Sequence, residues 1–291
     1  MKIYVIPIEE KFRPKRQDFK YPIHNKDYGV EQDFYKYIKN NQNIIVDNPN
    51  EADWHYLPIF WTRWHLNHNY GKDGLDELQK EVRLKIINDA KTFTICQYDD
   101  GPIVDTGKSI QFLASRKGEQ GIDIPLLSDD HRKPLFKIKK KFLATFSGTI
   151  QNHIIREKMQ EKLKNLKDIS IENKNGGASY FVKRILSSYI SLSPRGYGGS
   201  SFRFFESMQL GVVPLLLGEP DTRPFKKFIN WDTISLYAKN IDNIKEIILS
   251  KTKEELITMG KKAKEVYHNK LTYQKWCVYV IKELEKIKNE K

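Results

Sequence analysis

Short apolar runs alternate with longer charged stretches along most of this chain. The apolar runs have the length and composition of strands and cover 3–8, 44–46, 54–60, 93–97, 142–148, 189–192 and 212–217. Most of the stretches between them have helical spacing or charge patterns, which predict helices over 30–40, 75–90, 180–187, 243–249, 253–267 and 273–290. Strands that alternate with helices form crossovers between parallel strands. The sequence therefore predicts an α/β fold with parallel sheets.

The alternation runs through two cycles, which indicates two domains. A basic run at 137–141 comes just before the second cycle, and 291 residues are enough for two domains of modest size. We predict an N-terminal domain over 1–138 and a C-terminal domain over 139–291. The last predicted helix, 273–290, is a candidate to pack back on the first domain.

A loop rich in glycine and hydroxyl groups leads into an amphipathic helix, and 194–206 reads PRGYGGSSFRFFE. The free N–H groups and the positive dipole end of a helix form a natural seat for a phosphate. Arg203 and Glu206 are three residues apart and share one helix face. A carboxylate there can accept hydrogen bonds from ribose hydroxyls while Arg195 and Arg203 donate to phosphate oxygens. The pattern fits a nucleotide diphosphate, and the alternative is an ordinary loop with a surface Arg203–Glu206 pair.

The segment 180–214 resembles the signature of the exostosin-like glycosyltransferases, glycosyltransferase family 47. That signature runs from a strand ending in Pro-Arg-Gly through Ser-Phe-Arg and a glutamate to a strand containing Val-Pro. Weaker similarity follows in the same order at 52–58, 98–101, 142–148 with Arg156, 224–225 and 230–231. Ser191, Ser193 and Val212 stand where relatives usually carry cysteine, and Tyr98 stands where they carry histidine. These departures put extracellular disulfides in doubt, but not the nucleotide site.

The resemblance implies a GT-B architecture, in which two Rossmann-like domains flank a cleft. In that architecture, the domain over 1–138 lies on the acceptor side and the domain over 139–291 binds the nucleotide sugar. It also implies an inverting transfer of a sugar from a nucleotide diphosphate, most simply a UDP-sugar, to a hydroxyl of a glycan. The donor-binding residues that we predict are Ser147, Gly148, Thr149, Arg156, Arg195, Tyr197, Ser200, Ser201, Arg203 and Glu206. Glu206 is assigned to the ribose, and the arginines, hydroxyls and loop backbone are assigned to the leaving diphosphate.

An inverting transfer also needs a base for the acceptor hydroxyl. Asp99 and Asp100 follow the predicted strand 93–97, and both are candidates; Asp99 matches the family's turn better. The same Asp-Asp-Gly-Pro sequence is also an ordinary turn. His55 and His65 are the alternatives, and we expect His65 to lie on the surface or in a loop.

Aromatic and polar residues cluster at 54–65 and suggest a surface for the glycan acceptor. The acceptor-binding residues that we predict are Trp54, His55, Trp61 and Arg63. Aromatic faces beside polar donors suit carbohydrate, but packing in the core at the end of a strand explains the same tryptophans.

The net charge of +13 favours anionic partners without choosing among nucleic acid, an acidic membrane face and nucleotide sugars. Many of the lysines lie in runs that also suit a solvated surface. A basic nucleic-acid-binding protein is the rival of another class, yet no known reading motif is present, so we expect no nucleic-acid partner. A catalytically silent glycan-binding relative is the third alternative.

Only two cysteines occur, Cys96 and Cys277, and neither spacing nor neighbours suggest a disulfide framework or structural zinc. No Asp-x-Asp motif is present, so we expect metal-independent catalysis with no cofactor besides the nucleotide-sugar co-substrate. No run reaches the roughly 20 apolar residues of a membrane span, and 1–7 is too short for a signal sequence. We therefore expect a cytoplasmic enzyme of bacterial or viral origin.

Overall fold

The computed structural model describes residues 1–15 and 29–290 of the chain, which divides into two compact units. The first unit contains Met1–Ile124 and Tyr273–Lys291, and the second contains Pro125–Thr272. The first unit thus ends at Ile124, whereas the sequence predicted a boundary after Ile138. The segment that carries the last helix belongs to the first unit.

The strands, in chain order, are β1 (Ile3–Val5), β2 (Ile45–Val46), β3 (Trp54–Tyr56), β4 (Thr92–Cys96), β5 (Ile110–Leu113), β6 (Ile122–Asp123), β7 (Phe142–Ser147), β8 (Ile169–Glu172), β9 (Ser188–Pro194), β10 (Val213–Leu217) and β11 (Leu236–Ala238). The α-helices are α1 (Val30–Asn40), α2 (Trp61–Asn67), α3 (Leu75–Lys85), α4 (Ile154–Leu163), α5 (Gly177–Leu186), α6 (Phe202–Leu210), α7 (Ile244–Leu249), α8 (Lys253–Val266) and α9 (Cys277–Glu290).

The first unit is built on a parallel sheet with the strand order β2-β1-β3-β4-β5-β6. Its core contains buried residues from several elements, among them Ile6, Leu57, Trp61 and Cys96. The chain returns to this unit at its end, where the Asp33 carboxylate accepts hydrogen bonds from Gln274 N at 2.6 Å and Trp276 Nε1 at 2.9 Å. These bonds fasten the start of α9 to α1.

The second unit is built on a parallel sheet with the strand order β8-β7-β9-β10-β11. After β7, the chain adds β8 at one edge of the sheet. It then crosses to the other side of β7, where β9, β10 and β11 follow one another outward. The sheet therefore has a topological switch point between β7 and β9, and ligands of open α/β sheets bind beyond the carboxyl ends of strands at such a point. The loops that follow these two strands, 147–149 and 195–201, are the donor-binding loops predicted from the sequence.

The two parallel α/β units confirm the predicted fold class, and units of this kind make up the GT-B architecture. Most predicted elements differ from the observed ones only at their ends. The strand predicted over 54–60 is wrong in its second half, since β3 ends at Tyr56 and α2 begins at Trp61. The short strands β8 and β11 were not predicted, because runs of three or four residues give too little periodicity.

Candidate functional site

The guanidinium group of Arg203 packs against the end of β7. Arg203, in the first turn of α6, donates from Nη2 to the Ser147 carbonyl. Its guanidinium carbon lies 4.5 Å from the centroid of the Phe146 ring and 4.8 Å from that of Phe181. A Cβ atom at Gly148 would lie 3.0 Å from Arg203 Nη2, so glycine is what allows this close approach.

Burial lowers the pKa of Arg203 to about 10, while the nearby Glu206 carboxylate opposes the shift. Arg203 thus remains a cation at neutral pH. Its positive charge is held in a partly buried position directly beneath the loop that follows β7. A charge with few waters around it interacts more strongly with an anion than an exposed charge does.

Arg156, from α4, joins the two loops at the switch point. Its Nη1 donates to the Thr149 carbonyl at 2.9 Å, and its Nε donates to the Arg195 carbonyl at 3.0 Å. A Cβ atom at Gly196 would lie 3.2 Å from Arg156 Nη2. Burial lowers the pKa of this guanidinium as well. The sequence predicted that Arg156 contacts phosphate, and the structure shows in addition that it braces the loops on which the other candidates lie.

The loop 195–201 delivers the chain to the N-terminus of α6. Ser201 is the N-cap residue with extended backbone, and its side chain makes no capping hydrogen bond in the described part of the chain. Ser200 is buried, whereas Tyr197 is 70% exposed. The side chain of Arg195 donates to the Glu219 carbonyl after β10. An uncapped helix start carries N–H groups and a positive dipole end that suit an anion.

Glu206, the residue predicted to bind ribose, lies one turn into α6 and is held by two side chains of the same unit. His131 Nε2 lies 2.8 Å from Glu206 Oε1, and Ser128 Oγ donates to the same oxygen at 3.3 Å. Gln209, on the same helix, makes two further hydrogen bonds with this segment. Its Oε1 accepts from His131 N at 3.1 Å, and its Nε2 donates to the Asp130 carboxylate. The segment 128–131 is thereby attached to one face of α6.

His131 and Ser128 could not be recognised from the sequence as partners of Glu206. They precede it in the chain by 75 and 78 residues. The only signal was a run of four polar residues, Ser-Asp-Asp-His, after an apolar stretch. Such a run is also typical of a solvated turn.

The structure therefore brings together most of the predicted donor-binding residues. Contacts join the loop 147–149, Arg156, Arg195 and Arg203, while Tyr197, Ser200 and Ser201 lie on the loop between them. Glu206 is on the same helix as Arg203. Their roles in binding a nucleotide stay predictions.

The candidate bases lie in the first unit, beyond the carboxyl end of β4. The Asp100 carboxylate contacts Lys117 Nζ and is about half exposed, and Asp99 is partly buried. The expectation for His65 is wrong: it lies within α2, is fully buried, and has Nε2 3.0 Å from the Pro102 carbonyl oxygen. Burial lowers its pKa to about 4. Being fully buried, His65 offers no nitrogen to an acceptor hydroxyl.

The candidate acceptor residues are buried in the first unit. Trp54 and Trp61 are at most 2% exposed, and Trp61 Nε1 donates to Thr94 Oγ1 at 2.8 Å. His55 is also buried, with Nε2 3.1 Å from the Pro49 carbonyl oxygen. Arg63 donates to the Pro14 carbonyl at 2.8 Å. These rings are packed inside the unit, so in this structure they present no face to a glycan.

Among residues 1–15 and 29–290, no three His, Cys, Asp or Glu side chains are grouped as metal ligands. The expectation of metal-independent catalysis stays a prediction. Over the same residues, no helix combines the length and the apolar character that crossing a membrane requires.

Comparison with solved structures finds chains with low sequence identity. AviGT4, a glycosyltransferase involved in avilamycin A biosynthesis, is 9% identical, and the match covers 99% of this chain and 98% of AviGT4 with a TM-score of 0.41. TarM is 11% identical with a TM-score of 0.40, and the match covers 67% of this chain and 54% of TarM, just over half of its length.

Sequence comparison identifies the family. The Exostosin-1 homolog of Caenorhabditis elegans is 23% identical over 318 aligned positions, which cover 91% of this chain and 80% of the relative. The model of the exostosin GT47 domain matches residues 88–250, more than half of the 291 residues. The matched range contains β4 with the aspartates that follow it, both loops at the switch point, and α6. The chain belongs to the exostosin GT47 family and is a glycosyltransferase.

Proposed function

We propose that this glycosyltransferase transfers a sugar, with inversion, from a UDP-sugar to a hydroxyl of a glycan. The observation that carries the proposal is the placement of Glu206. It stands one turn beyond the start of α6, beside the sheet's switch point, with one carboxylate oxygen already held by His131 and Ser128. A nucleoside diphosphate needs an anion seat for its phosphates and an acceptor of hydrogen bonds for its ribose hydroxyls.

The diphosphate binds at the loops 147–149 and 195–201 and the first turn of α6. Main-chain N–H groups there donate to phosphate oxygens, and the small residues let the phosphates approach the backbone. Arg156 and Arg203 supply positive charge from beneath the loops. Charge that builds up on the departing diphosphate is stabilised most by donors and cations that are already in place.

The ribose hydroxyls donate to Glu206. The side chains of His131 and Ser128 both contact Oε1. An ionised carboxylate only accepts, which matches a pair of hydroxyl donors. Because Oε1 is anchored, less rotational freedom of the side chain is lost when the ribose binds.

A carboxylate of the first unit acts as the base. It removes the proton from the acceptor hydroxyl as that oxygen attacks the anomeric carbon, and the bond from this carbon to the diphosphate oxygen breaks on the opposite side. We propose Asp99 for this role ahead of Asp100, because Asp99 matches the turn of the family better. The buried tryptophans are not part of the proposed acceptor surface.

Thermal unfolding in the presence of UDP, GDP and several nucleotide sugars tests the proposal. A ligand at 100 times its dissociation constant adds about 2.7 kcal/mol to the free energy of unfolding. We expect the largest shift with UDP or a UDP-sugar, and none in Glu206→Ala. The matched control is Glu161→Ala, whose side chain is exposed on α4, and this variant should keep the shift.

A UDP shift that survives in Glu206→Ala would contradict the assignment of the ribose site. UDP binding without sugar transfer, over a wide panel of acceptors, would instead favour a catalytically silent relative. Binding of RNA or DNA that falls steeply with salt, with no shift by any nucleotide, would favour the nucleic-acid alternative.

A further inference from the structure

The segment 132–141, which we name the basic apolar loop, exposes two large apolar side chains among cations. Leu135 is 97% exposed and Phe136 is 81% exposed. The segment reads RKPLFKIKKK, with six lysines and arginines and no acidic residue. Single exposed apolar residues are ordinary, but an adjacent Leu-Phe pair that is this exposed within a basic run is a feature of interaction surfaces.

The second unit extends this positive surface beyond the loop. A cavity of about 670 Å³ is lined by Lys137, Lys139, Lys140, Lys261, Tyr189 and Ile257. The ammonium groups are crowded: burial and the neighbouring Lys264 both lower the pKa of Lys133. Ile257 on α8 is 42% exposed and adds a third apolar side chain. The surface therefore combines concentrated positive charge with accessible hydrocarbon.

The loop lies at the amino ends of the strands of the second sheet. Lys141 N donates to the Ser187 carbonyl at 2.7 Å, and Lys140 Nζ donates to the Ser188 carbonyl where β9 begins. The donor-binding loops follow the carboxyl ends of β7 and β9 instead. The other end of the loop begins one residue after His131, which contacts Glu206.

We propose that the basic apolar loop docks this enzyme on a membrane surface that contains anionic lipids. Leu135 and Phe136 enter the boundary between headgroups and acyl chains, and the surrounding lysines lie at the level of the lipid phosphates. Lysines near an anionic leaflet are attracted to its negative charge. The apolar surface of Leu135 and Phe136 is removed from water when it is buried among the lipids. A hydrated polyanion such as a nucleic acid or an acidic glycan could pair with the lysines, but it has no hydrocarbon region in which Leu135 could be buried.

Sedimentation with lipid vesicles tests this proposal on the full chain. We expect binding to vesicles of phosphatidylcholine mixed with phosphatidylglycerol and little binding to phosphatidylcholine alone. The double variant Leu135→Ser/Phe136→Ser and the double variant Lys137→Glu/Lys139→Glu should each weaken binding by about tenfold or more. The controls are Leu84→Ser/Ile87→Ser and Lys158→Glu/Lys162→Glu. They alter side chains that are also exposed but lie elsewhere, and they should bind as the unaltered chain does.

A Phe136→Trp variant gives a second readout that does not depend on affinity. Its fluorescence should shift to shorter wavelength with the mixed vesicles and be quenched by lipids brominated on their acyl chains. Circular dichroism and thermal unfolding verify that each variant is folded. Unchanged vesicle binding in Leu135→Ser/Phe136→Ser, or a tryptophan spectrum that does not respond to the vesicles, would overturn the proposal. So would loss of binding to an equal degree in both control variants.

Discussion

His131 Nε2 lies 2.8 Å from Oε1 of Glu206, and the two side chains are only 4% and 5% exposed. A buried carboxylate is costly unless it is hydrogen-bonded, so this contact allows Glu206 to remain at the face of α6 when no ligand is bound. It also fixes the orientation of the carboxylate group. The pair connects the stability of the second unit with the ribose site that we propose.

Replacing His131 with alanine tests that connection. We expect His131→Ala to lower the free energy of unfolding by about 1–3 kcal/mol, because a buried carboxylate loses its closest donor. UDP affinity should fall as well, since Oε1 is no longer anchored. His131→Gln keeps an N–H donor and should recover part of both losses. Urea unfolding and calorimetric UDP titration measure the two effects, and an unchanged UDP affinity in folded His131→Ala would rule out a positioning role.

Gly148→Ala tests the close approach of Arg203 to the end of β7. The added Cβ would lie 3.0 Å from Arg203 Nη2, so the guanidinium has to shift by a few tenths of an ångström against Phe146 and Phe181. We expect UDP affinity to fall by about tenfold, equivalent to about 1.4 kcal/mol. Gly118→Ala is the matched control, because no other atom lies within 4 Å of its added Cβ. Equal UDP affinity in the two variants would show that the position of Arg203 does not matter for binding.

Arg156→Lys separates the positive charge of Arg156 from its bracing of the loops. Lysine retains a cation but cannot donate in two fixed directions to the Thr149 and Arg195 carbonyls. We expect kcat/KM for transfer to fall by about 100-fold, the lower end of the effect of losing a preorganised group. Arg83→Lys, at an exposed position of α3, should be neutral. If Arg156→Lys retains full activity, charge alone accounts for the role of Arg156.

The two aspartates after β4 are distinguished by separate substitutions. We expect Asp99→Asn to lower kcat by about 100-fold to 10,000-fold, as loss of a general base does. UDP affinity should be unchanged, because the donor residues are not altered. Asp100→Asn should have the smaller effect on kcat. The reverse order of the two effects would transfer the role of base to Asp100, and full activity in both variants would exclude both residues.

Glu31 makes the stability of the first unit depend on pH. Its fully buried side chain accepts from Thr62 N, Thr62 Oγ1 and Gln97 N, and burial raises its pKa from the ordinary value of 4.5 to about 8. The folded chain then binds more protons than the unfolded chain between these two values. The free energy of unfolding should therefore fall as the pH rises from about 4.5 through about 8, by on the order of 5 kcal/mol at most.

Glu31→Gln is the variant that isolates this effect. Its amide oxygen still accepts at the position of Oε1 but does not titrate, so the part of the pH slope due to Glu31 should disappear. Urea unfolding of both proteins at several pH values across this window measures the difference. If the free energy of unfolding changes with pH in the same way in both proteins, the Glu31 carboxyl is not the cause of the pH dependence.

The local parts of the candidate site could be predicted from the sequence. The glycine-rich loop, the helix that follows it, and the shared face of Arg203 and Glu206 depend only on spacing within a few residues. The contacts of those side chains could not be predicted in this way. Arg156 bonds to a carbonyl 39 residues away, and Glu206 bonds to a histidine 75 residues away. Nothing in the local pattern distinguishes such partners from solvated side chains.

The sequence by itself determined that strands and helices alternate, that the sheets are parallel, and that a glycine-rich loop precedes α6. Periodicity and chain connectivity suffice for these features, because parallel strands require crossovers. Only the tertiary structure decided that Trp54 and Trp61 are core residues, that Arg156 braces two loops, and that His131 holds Glu206. The physical reason is that burial and hydrogen bonding between distant residues depend on which strands become neighbours in the folded sheet.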